Sequence, residues 1–261
     1  MMNRIELAEI AIKKAGETVK EGFETDHTAT HVKANVNDLV TQYDTRAQTI
    51  IISLIEKHFP DDAIVAEEDG YNNIDAKTGW VIDPIDGTNP FSRKMTCFGI
   101  VIGYMVDFEA EFCLVYNPIL DELFKAEKGC GTTVNGEKVQ IANRPMENQF
   151  IALEGFGTKK ASELRLLLQD YVYNITGRSC SCASTMMTSR GQTDSFIQKA
   201  NNIWDRIHYI LLSEAGAKLT NFKGEKYTVD QTDYFACHPE LHSTYVKMIA
   251  EVLDKSKIPA R

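Results

Sequence analysis

The sequence has no apolar run approaching the ~18 residues that a membrane-spanning helix needs, and no Gly/Ser linker, low-complexity tract or internal repeat. Its opening stretch, MMNRIELAEI, places Glu6 and Glu9 where a secretory signal would carry its apolar segment, so export is not expected. Base is in deficit: 28 lysines and arginines face 37 acids, a formal charge of −9. An acidic surface repels phosphate backbones, which disfavours nucleic acid and membrane surfaces as partners. Several chemical motifs are also missing. There is no G-x-x-x-x-G-K-[ST] loop, which argues against a P-loop NTPase. No G-x-S-x-G elbow surrounds the hydroxyl-rich stretch Ser179–Ser184, which argues against a serine hydrolase. No CxxC occurs, and Cys180-x-Cys182 lacks a second pair to complete a zinc site. In a chain of this size without an export signal, the six cysteines read as reduced apolar fillers, and the expected compartment is the cytoplasm.

What is present describes a globular protein. A chain of 261 residues with 43% hydrophobic content suits one large domain or two packed lobes with a sizeable core. Ile5, Ala8, Ile12, Ala15, Val19 and Phe23 recur at helical spacing, as do Ala47, Ile50, Ile51, Leu54 and Ile55 before Pro60. Short apolar segments at Ala63–Ala66 and Trp80–Ile82 then run directly into acids. From Phe98 to Ile141 the pattern becomes an antiparallel meander, with strands at Phe98–Val106, Phe112–Tyr116, Glu122–Ala126 and Val139–Ile141 and a hairpin signal at Asn135-Gly136. After Pro145 helices and strands alternate, with helices around Leu164–Tyr171, Ile207–Ala215 and Leu241–Leu253. The expected organisation is an N-terminal lobe over residues 1–145 and a smaller C-terminal lobe over residues 146–261.

The informative feature is acid at the ends of buried-looking strands, because a buried carboxylate is costly unless it is paired or binds metal. In Trp80-Val-Ile-Asp83-Pro-Ile-Asp86-Gly87-Thr88-Asn89-Pro90 an apolar strand delivers Asp83 to its end, and Asp86 returns three residues later toward the same point. Pro90 suits the first turn of a helix, whose N–H groups would aim at whatever the aspartates hold. Hard oxygen ligands of this kind select Mg²⁺ together with phosphate oxygens.

These residues resemble the signature of the inositol monophosphatase family, Mg²⁺-dependent and lithium-sensitive phosphatases, in W-V-I-D-P-I-D-G-T over Trp80–Thr88. Four further blocks agree in order: Asn37-Asp-Leu-Val-Thr-Gln-Tyr-Asp44, Ala66-Glu67-Glu68, Val115-Tyr-Asn-Pro118 through Asn135-Gly136, and Trp204-Asp205 through Glu214-Ala-Gly216. The resemblance implies an α+β or α/β fold, a layered αβαβα sandwich with an antiparallel sheet in the N-terminal lobe and a smaller α/β C-terminal lobe. It implies two or three Mg²⁺ ions, a homodimer, and hydrolysis of a small-molecule phosphate monoester by metal-activated water, with inositol 1-phosphate the first expectation. By position, Glu67, Asp83 and the carbonyl of Ile85 would hold one ion, and Asp83, Asp86 and Asp205 a second. Asp44 and Thr88 would orient and deprotonate the water, and the N–H groups of Gly87 and Thr88 would grip the phosphate. Glu68 would support the ligands without coordinating.

Departures concentrate on the substrate side. Pro90 stands where many members carry Asn, and Gln198 where many carry a hydroxyl-binding Glu. Ser181-Cys182-Ala183-Ser184 replaces G-S/T-A-A. Ser181, Cys182, Ala183 and Gln198, with Asp86 and Asp205, are the expected substrate-facing residues. An amide lacks the charge-assisted acceptor that a carboxylate offers, so altered polyol recognition follows. A sugar bisphosphate, histidinol phosphate or a 3′-phosphonucleotide are the alternative substrates, and a non-catalytic regulatory binding protein is the alternative of another class. The histidines, among them His27, His31, His58 and His208, read as surface or packing residues, and Lys33 as either a lysine near the nucleophile loop or a solvated one.

Overall fold

The computed structural model describes residues 2–25, 30–32, 39–68 and 76–256. Lys33, Asn37, Asp38 and His27, named above, lie outside the described residues, as does the side chain of His31.

The two amphipathic patterns form α1 (Arg4–Glu24) and α2 (Gln42–His58). Asn3 caps α1 reciprocally: its side chain accepts from the Glu6 N–H at 2.9 Å, and the Glu6 carboxylate accepts from the Asn3 N–H at 2.9 Å. Between the helices, β1 (Thr30–Val32) and β2 (Leu39–Thr41) pair antiparallel. A seven-stranded sheet follows in sequential order: β3 (Ile64–Ala66), β4 (Gly79–Asp86), β5 (Gly99–Val106), β6 (Glu109–Asn117), β7 (Glu122–Glu127), β8 (Gly131–Val134) and β9 (Glu137–Val139). The short α3 (Thr88–Ser92) separates β4 from β5.

Three details differ from expectation. The sheet is mixed, because β3 and β4 run parallel while the other pairs are antiparallel. The strand at Trp80 does not end at Asp83; β4 continues to Asp86 through a register shift between the two aspartates. Pro84 has no N–H to give a ladder, so the strand bulges there. The last hairpin strand is β9 and not Val139–Ile141, since Asn135 and Gly136 (φ 49° and 86°) form a two-residue turn that pairs Val134 with Glu137.

The second sheet has five strands: β10 (Phe150–Glu154), β11 (Asn174–Thr176), β12 (Ser195–Lys199), β13 (Lys218–Thr220) and β14 (Asp233–Cys237), ordered β11-β10-β12-β14-β13. β10 is parallel to both its neighbours, whereas β14 is antiparallel to both of its own. The helices are α4 (Thr158–Leu168), α5 (Ser181–Ser189), α6 (Tyr209–Glu214) and α7 (His242–Ser256). The helix expected around Ile207–Ala215 starts later, and Asp205 stands in the turns before it. Tight turns, with Arg206 N–H donating to Ile203 O and Tyr209 N–H to Arg206 O, delay α6 until Tyr209.

The elements stack in five layers. α1 and α2 cover one face of the large sheet and enclose a core containing Ile12, Ile51, Trp80, Ile102 and Leu114. α5 and α6 fill the space between the two sheets, in a core that joins Val81, Val101 and Phe124 to Phe196, Ile207 and Tyr234. α4 and α7 cover the outer face of the small sheet around Ile151, Phe235 and Met248. Leu114 is fully buried under α1 and α2. Leu114→Ala is expected to lower stability by about 2–5 kcal/mol through lost burial and the cavity left behind. Urea unfolding measures it, and a loss within the scatter of surface substitutions would contradict this packing.

Candidate active site

The site begins where β3 and β4 run side by side. Beyond β3 the Glu67 N–H still donates to Ile82 O at 3.2 Å, which holds Glu67 beside Asp83. Gln48 of α2 clasps the next residue twice, accepting from the Glu68 N–H at 2.9 Å and donating to Glu68 O at 3.2 Å. In the bulge, Asp83 Oδ1 accepts from the Ile85 N–H at 3.0 Å, and the Thr88 hydroxyl donates to Ile85 O at 3.2 Å. Gly87 turns the chain at φ 95°, and a Cβ there would stand 2.9 Å from Cys180 Sγ, so a side chain is excluded both by backbone and by contact. Asp44 is buried in the first turn of α2.

Asp86 is received by the N-terminus of α5. Its carboxylate accepts from the Ser181 N–H at 3.3 Å, the Ser181 hydroxyl at 2.7 Å and the Cys182 N–H at 2.6 Å. The first N–H groups of a helix lack intrahelical partners and carry partial positive charge, so a carboxylate is stabilised there. Asp205 arrives from the turn before α6. One oxygen each of Asp83, Asp86 and Asp205 lies within 4.8 Å of the others. Burial, followed by the charges of Glu67, Asp86 and Asp205, pushes the Asp83 carboxyl well above the usual carboxylate range. Close carboxylates of this kind are relieved by a cation, and an all-oxygen donor set with a buried member suits a hard divalent ion.

Beside the cluster opens a cavity of about 500 Å³ whose wall includes Asp86, Asp205, Cys180, Ser181, Gln198, Glu154, Lys160 and Lys199. Gln198 is 1% exposed, so it is no surface residue. Its amide donates to Asp205 O at 2.8 Å, fixing the turn that carries the third carboxylate, while its Oε1 is buried without a hydrogen-bond partner among the described residues. The structure thus brings Asp83, Asp86, Asp205, Ser181 and Gln198 together, with Glu67 against Asp83. Cys182 and Ala183 sit behind the cavity wall in the core.

Two residues of the site escaped sequence reasoning. Glu154, at the end of β10, is in register with Gln198 on β12 and accepts from the Arg178 N–H at 2.5 Å and the Ser184 hydroxyl at 2.7 Å. Gly155 follows because a Cβ at that position would stand 1.9 Å from Lys199 O. His208 is fully buried, with Nε2 3.1 Å from the Ser181 hydroxyl and Nδ1 3.0 Å from the Thr185 hydroxyl. Burial draws its pKa down to about 4, which leaves the ring neutral at physiological pH. No motif or spacing in the sequence pointed to Glu154 or to His208.

Burial raises the Glu154 pKa from 4.5 to about 7 against the opposing hydrogen bonds from Arg178 and Ser184. The folded state therefore keeps a proton that the unfolded chain releases above its ordinary pKa. Stability falls as pH rises from the unfolded value to about 7, by about 3 kcal/mol in all. In urea unfolding, the stability of Glu154→Gln relative to wild type should rise by that amount between pH ~4.5 and ~8. A pH-independent difference would remove Glu154 from this role.

The sequence model of the inositol monophosphatase family matches residues 2–255. A fructose-1,6-bisphosphatase/inositol-1-monophosphatase of Thermotoga maritima is 28% identical over 224 residues, covering 85% of this chain and 87% of the relative. A Nus factor SuhB of Salmonella typhimurium is 30% identical over 227 residues, covering 82% of this chain and 83% of the relative. The solved structure of a Thermotoga maritima IMPase superposes with a TM-score of 0.88 at 26% identity, covering 98% of this chain and all of the other. No helix among the described residues is long and apolar enough to cross a membrane.

Proposed function

The chain belongs to the inositol monophosphatase family, and we propose that it is a Mg²⁺-dependent phosphomonoesterase acting on a small polyol phosphate. The observation that carries this reading is the convergence of Asp83, Asp86 and Asp205 within 4.8 Å at the wall of an open cavity. In this reading Glu67, Asp83 and the Ile85 carbonyl hold one ion, and Asp83, Asp86 and Asp205 a second. Bound there, the ions neutralise the phosphate dianion, lower the pKa of water and stabilise the leaving alkoxide.

The chain's own groups do the rest. Thr88 spends its hydroxyl proton on Ile85 O, which leaves lone pairs to accept a hydrogen bond from the attacking water. Asp44 takes that water's proton. The N–H groups of Gly87 and Thr88 hold phosphate oxygens, and Gln198 steadies Asp205 through its backbone. The Ser181 hydroxyl already donates to Asp86, so it is not a free nucleophile, and attack by water without a phosphoenzyme is the step that fits. Inositol monophosphate is the first substrate in this reading. A sugar bisphosphate is the second, since Lys160 and Lys199 line the same cavity and could meet a further anionic group. A non-catalytic binding role is kept as a second reading because relatives named Nus factor SuhB are among those at about 30% identity.

Phosphate release from a panel of monoesters, with and without Mg²⁺, decides between these readings; none from any ester would favour the binding role. Asp205→Asn is expected to reduce Mg²⁺-dependent turnover by at least about 10²–10³-fold, the scale on which removal of one charge-stabilising group acts. An unchanged circular dichroism spectrum would show that the fold persists, and near-normal turnover would remove Asp205 from the metal site. Gln198→Glu should shift the ratio of turnover on inositol 1-phosphate to that on other esters, and an unmoved ratio rejects Gln198 as a specificity residue.

A further inference from the structure

Asp86 faces a second group of ligand atoms that the phosphatase reading does not use. One ligand atom each of Asp86, Cys180 and Cys182 lies within 4.8 Å of the others, and all three residues are buried. The two sulfurs are 3.6 Å apart. Two thiolates on one tetrahedral ion with Zn–S bonds of ~2.3 Å would stand ~3.8 Å apart, so little movement is needed to close on such an ion. Residues two apart on a regular helix point to different sides. Here Cys180 is the N-cap of α5 with extended backbone (φ −158°, ψ 113°), which swings its sulfur round to that of Cys182 in the first turn. Cys180 also lines the open cavity with Asp86, which supplies an entry path and room for a further ligand.

We infer that Asp86, Cys180 and Cys182 form a soft-metal site, for ions of the Zn²⁺ and Cd²⁺ class, that competes with the hard-oxygen cluster for Asp86. Mg²⁺ avoids sulfur, whereas softer ions prefer it, so the two clusters select different occupants. A coordinating soft dication deprotonates thiols outright, and the two protons leave to solvent. Because the carboxylate of Asp86 is drawn into this site, an ion bound here switches off whatever the hard cluster does.

Cd²⁺ titration of the full chain, read by the ultraviolet thiolate-to-Cd²⁺ charge-transfer band, tests the site without depending on activity. One equivalent should give the band in wild type and in Cys130→Ser, whose thiol is exposed and elsewhere. Cys180→Ser/Cys182→Ser should weaken binding by more than the roughly 100-fold that loss of a supporting contact costs. A band that survives this double variant, or is absent from wild type, overturns the proposal. X-ray absorption on Zn²⁺-loaded wild type needs no variant: two sulfur neighbours at ~2.3 Å support the site, and none or four overturn it. Zn²⁺ should also suppress Mg²⁺-dependent phosphate release in wild type and not in the double variant, each relative to its own zinc-free rate. Absence of any phosphate release would count against the phosphatase reading alone, since the charge-transfer band stands apart from it.

Discussion

Mutual repulsion among Asp83, Asp86 and Asp205, whose oxygens lie within 4.8 Å of one another, is the constraint around which the fold is arranged. Each carboxylate is supplied and held from a different direction. The bulge in β4 places Asp83 and Asp86 on one strand without pointing them to opposite faces, as strict alternation would for residues three apart. The N-terminus of α5 offers Asp86 two N–H groups and a hydroxyl. The Gln198 amide fixes the turn that brings Asp205 across from the second sheet. Removing any of these supports would let the carboxylates relax apart.

The five-layer arrangement follows from the same need. Both sheets bury a face against α5 and α6, and the shared core makes one body of segments far apart in sequence, with Val81 and Phe124 in the same cluster as Phe196 and Tyr234. That layer sets the distance between β4 and the Asp205 turn. A chain that only had to bury apolar area could have used either sheet with its outer helices alone. The central helices are where fold and site meet, since α5 is both a packing element for two sheets and the anion receptor for Asp86.

Much of this was legible in the sequence, for a physical reason. An apolar run ending in acid has no cheap solution except pairing or metal, so Trp80–Asp86 marks the candidate site in the sequence itself. The amphipathic helices and the meander were legible because their periods are strong, although the Pro84 bulge and the Asp205 turn were not: both depend on single missing or redirected N–H groups. Glu154, His208 and the burial of Gln198 were not legible at all. Each is polar, none lies at a ligand spacing, and their burial depends on the parallel register of β10 with β12 and on the seating of α5, which are long-range choices. The cysteines illustrate the same limit. Cys113 and Cys237 are the apolar fillers that composition implies, but Cys180 caps a helix and approaches Cys182, and only the backbone at the cap reveals it.

The register of β10 and β12 also gives a reason for the amide at position 198. Glu154 and Gln198 are direct parallel partners, both almost fully buried, and both line the cavity. Residues paired in this way share a face of the sheet, and like charges placed opposite one another there are destabilising. Glu154 already lies near Asp86, whose charge adds to the burial that raises its pKa. A carboxylate at position 198 would add another negative group to the same wall, where burial makes each unpaired charge costly. The amide avoids that repulsion and still donates to Asp205, while its unpartnered Oε1 keeps an acceptor in the buried wall. Carboxyl at 154 and amide at 198 are therefore one coupled choice: the acidic group stands on the neighbouring strand, and it titrates near neutrality because of where it stands.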